Sequence, residues 1–225
     1  MEESTYTDPR FIQYSKRFTM VKLNAEKDTV TAAHYRVKSY PTIMVLKKDG
    51  SEIDRVVGYY QPRPFMDQVE DYLAGRNTLA SYAAMEPDSG KDPGYMGRLA
   101  ERYFYHGLND EARRRYLKLL TMDPQNKSEL VDDALYTLAR MSRKEKDYAQ
   151  DAKYAQMIID RYPHSDMYKS AILEKAGALR RDMKLAQART IYLDYAKRFP
   201  TDEDAAWAKE QADTLSVKIQ HGEGA

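Results

Sequence analysis

The chain has 225 residues, with 36 Lys and Arg against 35 Asp and Glu, and it contains no cysteine. The near-neutral balance gives no bulk attraction to nucleic acid or to an anionic membrane surface. The missing thiols exclude disulfides, thiolate metal sites and thiol catalysis within this chain. No apolar run approaches the length of a membrane-spanning helix, and 225 residues suffice for two domains.

Local chemistry becomes legible at Tyr35 to Leu46. A short helix ends near Val37 and a turn at Tyr40-Pro41-Thr42 follows. Ile43 to Leu46 is then continuously apolar, as expected of a strand covered on both faces. Pro41 stands at the start of that strand, where its missing N–H costs no ladder bond. Asp49-Gly50 suits a tight hairpin turn, and Glu52 to Gly58 reads as a half-buried antiparallel partner.

Helix, proline turn and hairpin come in the order of the second half of a thioredoxin-like domain, and this region resembles that family. Phe18 to Leu23 resembles the family strand that ends in an acidic loop, here running to Asp28. Pro64 to Leu73 resembles its last helix, with Phe65, Val69 and Leu73 at a helical period. The resemblance covers residues 1–76. It implies that Tyr40, Pro41 and Thr42 form the cis-proline loop, with backbone beside Pro41 holding a substrate segment in extended pairing. It also implies a Cys-x-x-Cys at the start of the preceding helix, which this chain lacks. Met1 to Pro9 resembles the stretch that follows that motif. Met1 is therefore expected to be an internal methionine of a longer thiol–disulfide oxidoreductase, and the chain as it stands is expected to be inactive. The alternative is a natural cysteine-free interaction module or envelope scaffold. A bacterial parent in the periplasm or cell envelope follows only from resemblance to similar fusions. The strand that would lie between Phe18–Leu23 and Ile43–Leu46 is absent, so exposed strand edges invite self-association.

Ala74-Gly75-Arg76-Asn77 reads as a helix end. Residues 77–93 read as a linker with a short helix over 78–85, because 86–93 is rich in turn formers. From Gly94 onward the pattern is helical, with units closed by Pro124, Pro163 and Pro200. The first unit resembles a tetratricopeptide repeat through Leu99, Ala100, Tyr103, Gly107, Ala112 and Tyr116, with Met96 at the usual tryptophan position. Later units repeat it through Leu138-Ala139, Ala152, Ala155 and Tyr162, then Ala176-Gly177, Ala188, Tyr192 and Phe199. A last helix from Asp204 to about Ile219 caps the stack. The expected fold is thus an incomplete thioredoxin-like α/β/α domain followed by an all-α, tetratricopeptide-like domain over 94–225.

Catalytic constellations are not legible. His34, His106, His164 and His221 have no ligand spacing and read as surface or helix-end residues, so neither a metal nor a cofactor is expected. Glu2-Glu3 and Asp202-Glu203-Asp204 suit helix starts, where carboxylates complement the dipole. Arg113-Arg114-Arg115 is balanced by neighbouring acids, so nucleic acid is not expected as a partner. In the repeat register Tyr136, Arg140, Arg143, Lys144, Arg180 and Arg181 fall on groove-facing positions. Those cations would favour a protein or peptide partner bearing an acidic segment or a chain carboxylate.

Overall fold

A computed structural model of the chain describes residues 1 and 4–222, in two compact units, residues 1–115 and 116–225. Glu2 and Glu3 lie outside the described residues. No helix among the described residues is long and apolar enough to cross a membrane.

The first unit opens with α1 (Pro9–Ser15), where the Asp8 side chain accepts from the Arg10 N–H and proline takes a first-turn position. Helix α2 (Thr29–His34) is capped likewise by Asp28, which accepts from the Thr31 N–H. Strands β1 (Thr42–Leu46) and β2 (Glu52–Val57) form an antiparallel two-stranded sheet, registered from Thr42 opposite Val57 to Leu46 opposite Glu52. Gly50 turns the hairpin at φ +83°, a conformation that a side chain would strain. Helix α3 (Pro62–Leu73) covers the sheet. Phe11, Val45, Val56, Phe65, Val69 and Tyr72 form this unit's apolar core, with the Phe11 and Phe65 rings edge-on at 5.8 Å.

Two expectations are corrected here. Phe18 to Leu23 is not a strand, and Met20, Val21 and Leu23 are 56%, 74% and 55% exposed. A strand persists only where its backbone pairs with a neighbour, and the neighbour that the family order requires is not in this chain. The inward position at the end of α3 belongs to Tyr72, whereas Leu73 is 40% exposed. The buried set 65, 69, 72 keeps the i, i+4, i+7 face, which Leu73 leaves.

The stretch expected to be a linker folds into α4 (Leu79–Ala84) and α5 (Glu86–Ser89), followed by α6 (Pro93–Tyr105) and α7 (Asn109–Met122). The Tyr95 hydroxyl donates to the Tyr82 carbonyl, and Glu86 bonds the Arg115 guanidinium, so these turns are held by α6 and α7. By compactness the chain divides after Arg115.

The second unit contains α8 (Val131–Lys144), α9 (Tyr148–Arg161), α10 (Met167–Arg181), α11 (Leu185–Arg198) and α12 (Ala205–Gln220), each packed on the next. Alanines 139, 155, 176, 188, 208 and 212 are fully buried, and their small side chains let the helices approach closely. Two devices recur. Lys146 and Met183 take left-handed conformations, φ 63° and 60°, after α8 and α10. Tyr162 and Phe199, each before a proline, end α9 and α11 with almost the same dihedrals, because a following proline disfavours the α region. The result is a long region of paired helices.

Candidate functional site

The turn before β1 contains a cis Tyr40–Pro41 peptide bond. The Thr42 hydroxyl donates to the Ser39 carbonyl at 2.7 Å, and the Pro41 carbonyl accepts from the Gly58 N–H at 2.9 Å. Pro41 is thereby tied to the β2 side, while Tyr40 is 64% exposed and its backbone takes no hydrogen bond among the described residues. Tyr40, Pro41 and Thr42 therefore form one accessible loop at the sheet edge.

Behind the sheet lies a buried charged cluster that the sequence reading did not anticipate. Asp54 is 1% exposed and its carboxylate accepts from the Arg55 and Leu79 backbone N–H groups. One of its oxygens lies 3.0 Å from His106 Nε2. Arg55 bonds Glu52 through both ends of its fork and donates to the Tyr35 carbonyl at 2.8 Å. His106 ends α6, as expected of a helix-end residue, but it is buried rather than on the surface. The cluster joins α2, β2, α4 and α6, and every partner is satisfied within the unit, so it reads as a structural clamp. Among the described residues no three metal-ligating side chains converge.

In the second unit a cavity of about 310 Å³ opens between α8, α10, α11 and α12. Tyr136, Arg143, Arg180 and Arg181 line it; Arg140 and Lys144 do not, and both are exposed. Arg143 Nη1 donates to both oxygens of Glu174 at 2.7 Å, and Arg180 donates to Gln211. Arg181 makes no hydrogen bond or ion pair among the described residues. It lies along Gly177, where an added Cβ would stand 3.0 Å from its Nη1.

Behind this lining sits Asp151, fully buried, with neither carboxylate oxygen receiving a hydrogen bond. Desolvation first, then the negative charge of Glu174, pushes its carboxyl up to about 7. The Tyr192 hydroxyl is also buried and unpartnered at the cavity wall, and its ring meets the Trp207 indole edge-on at 5.6 Å. Sequence reasoning missed Asp151, Glu174 and Trp207. The signal for Asp151 was a carboxylate on the apolar face that continues through Ala155 and Ile158. Glu174 stands likewise between Ala171 and Ala178.

The remaining charged motifs are absorbed locally. Arg115 is buried against Glu86 and Glu111, with its guanidinium 4.0 Å from the Tyr103 ring centroid. Asp202 precedes α12 and accepts from Lys169 Nζ and the Tyr195 hydroxyl, both at 2.7 Å.

The thioredoxin family profile matches residues 7–71. A thioredoxin of Synechocystis is 36% identical over 61 residues, which are 27% of this chain and 56% of that protein. A thioredoxin of Staphylococcus aureus is 40% identical over 58 residues, which are 26% of this chain and 54% of that protein. The chain spans about half the length of these relatives. No solved structure matches it. Residues 7–71 are a thioredoxin-family region without cysteines, followed by a long region of paired helices.

Proposed function

We propose that residues 1–76 are the substrate-holding half of a thiol–disulfide oxidoreductase whose Cys-x-x-Cys lies outside this chain. The single observation that carries the reading is the accessible loop at Tyr40-Pro41-Thr42, where the unpaired backbone of Tyr40 can hold an extended substrate segment. Solvent-exposed Met20, Val21 and Leu23 support it, because a missing central strand would pair and cover that stretch. The chemistry would be attack of a low-pKa thiolate on a protein disulfide, with the loop positioning the target sulfur. Without that thiolate the chain alone reduces nothing. The test begins with the reading frame upstream of the Met1 codon. An encoded Cys-x-x-Cys, and reduction of insulin disulfides by the extended protein, are the expected results. A frame lacking the motif, or an extended protein that leaves insulin oxidised, removes the reading.

A second reading concerns the paired helices and is favoured by the cationic cavity. In it the second unit is a protein-interaction module that binds an acidic peptide or chain carboxylate through Tyr136, Arg143, Arg180 and Arg181. In an oxidoreductase parent such a module would recruit the client. Alone, it would serve as an envelope scaffold or adaptor. Loss of peptide capture on charge reversal at Arg180 and Arg181 tests it.

A further inference from the structure

We propose that the cavity between α8, α10, α11 and α12 binds a monocarboxylate bearing an apolar group, and that binding draws Arg143 away from Glu174 so that the Glu174–Asp151 pair takes up a proton from solvent. This rests on the binding role given above to the second unit, and it adds the ligand class and the linked proton.

The ligand class follows from charge and shape. Three guanidinium groups, Arg143, Arg180 and Arg181, face two carboxylates, Glu174 and Asp204, so the lining is short of one negative charge. A carboxylate supplies that charge, whereas a phosphate dianion would overshoot it. The volume of about 310 Å³ lies at the small end of ligand sites. One wall is apolar, because the Trp207 indole is 42% exposed. The buried Tyr192 hydroxyl at the same wall has no partner in the protein. A hydroxyl in that state is costly unless something else bonds it, and a ligand oxygen would do so.

The proton follows from the pair behind the lining. Two buried carboxylates cannot bond each other unless one holds a proton. Facing Asp151 are Glu174 and Arg181 on α10, and Arg143 and Tyr136 on α8. Arginine and tyrosine do not titrate between pH 6 and 8, so only the carboxyl pair can exchange a proton there. Arg143 is the countercharge of Glu174, through two bonds from a single nitrogen. A ligand carboxylate competes for that guanidinium. As it engages Arg143, the pair loses countercharge and one of its four oxygens gains a proton.

The experiment uses the full chain, with the single tryptophan, Trp207, as fluorescent reporter. N-acetyl-leucine, N-acetyl-leucinamide, N-acetyl-Gly-Gly-Leu and inorganic phosphate are titrated at pH 6, 7 and 8. Calorimetry in two buffers of different ionisation enthalpy counts the protons. The free acids are expected to bind and the amide is not. Proton uptake is expected near pH 7, and affinity should fall about fivefold from pH 6 to pH 8. In Asp151→Asn, which keeps the side-chain shape, binding should persist with a flat pH profile and no uptake. Tighter binding of the tripeptide supports the proposal with a peptide chain end as the source. Equal binding supports it with a small free carboxylate. No binding of either acid, equal binding of the amide, or tighter binding of phosphate overturns the ligand class and the binding role beneath it. Carboxylate binding without proton uptake, or with the same pH profile in Asp151→Asn, overturns the linkage alone.

Discussion

Replacing Asp151 by Asn is expected to stabilise the second unit at neutral and alkaline pH. The folded carboxyl titrates near 7, against 3.8 for the ordinary group, because burial and Glu174 oppose its charge. A group whose pKa is raised on folding contributes stability in full below its unfolded pKa and loses it as pH climbs through the folded value. The native protein therefore holds this proton at a cost that grows from about pH 4 and levels off above about pH 7. Three units at about 1.4 kcal/mol each set a ceiling of about 4 kcal/mol. Interior relaxation and the nearby Arg143 and Arg181 reduce this to about 1–3 kcal/mol. Asparagine keeps the volume, carries no charge to bury, and its amide can donate to a neighbouring carboxylate oxygen. Trp207 is the only tryptophan and lies in the second unit, so its fluorescence during urea unfolding reports this unit. With a slope of about 1–1.5 kcal/mol/M, the midpoint should rise by about 1–2 M at pH 8. The rise should shrink steadily between pH 7 and pH 4. A gain that does not vary with pH, or a loss at pH 8, would refute the assignment of a buried, proton-sharing carboxyl pair.

Three other substitutions probe separate parts of the chain. Asp54→Ala strands His106, the Leu79 N–H and the Arg55 N–H in the first unit, and a cost of about 3–5 kcal/mol is expected. Circular dichroism should then lose an early transition while the Trp207 transition stays in place. Asp202 is held down to about 2, chiefly by Lys169 and then by the Tyr195 hydroxyl. Its contribution is present above pH 4 and lost as pH falls toward 2, so Asp202→Asn should flatten the acid limb of the Trp207 unfolding midpoint. Gly177→Ala should strengthen α10 by up to about 1 kcal/mol in urea unfolding. The new methyl meets Arg181 Nη1 at 3.0 Å, so the same variant should weaken N-acetyl-leucine binding in a fluorescence titration.

What the sequence disclosed follows from how local each cause was. The hairpin was legible because Asp49-Gly50 and the apolar run at 43–46 act over a few residues. The paired helices were legible because small buried residues and helix-ending prolines recur. The strand at Phe18–Leu23 was not legible as coil, because its failure depends on a pairing partner that no residue in the chain supplies. The fork of Arg55 with Glu52 stays near in sequence, yet the carboxylate that anchors the cluster, Asp54, meets His106 from 52 residues away. Histidine spacing could not announce that contact. The cavity shows the same limit from the other side. Helical register brought Tyr136, Arg143, Arg180 and Arg181 to one lining, since each faces inward from α8 or α10. Arg140 and Lys144 lie outside that lining and are exposed, because a helix advances 100° per residue and a small difference in register turns a side chain to solvent. Asp151 was the stronger clue. A carboxylate on the apolar face of α9, in register with Ala155 and Ile158, demands a reason to remain. The reason lies in its pairing by charge with Glu174, whose own partner is an arginine that a ligand can claim.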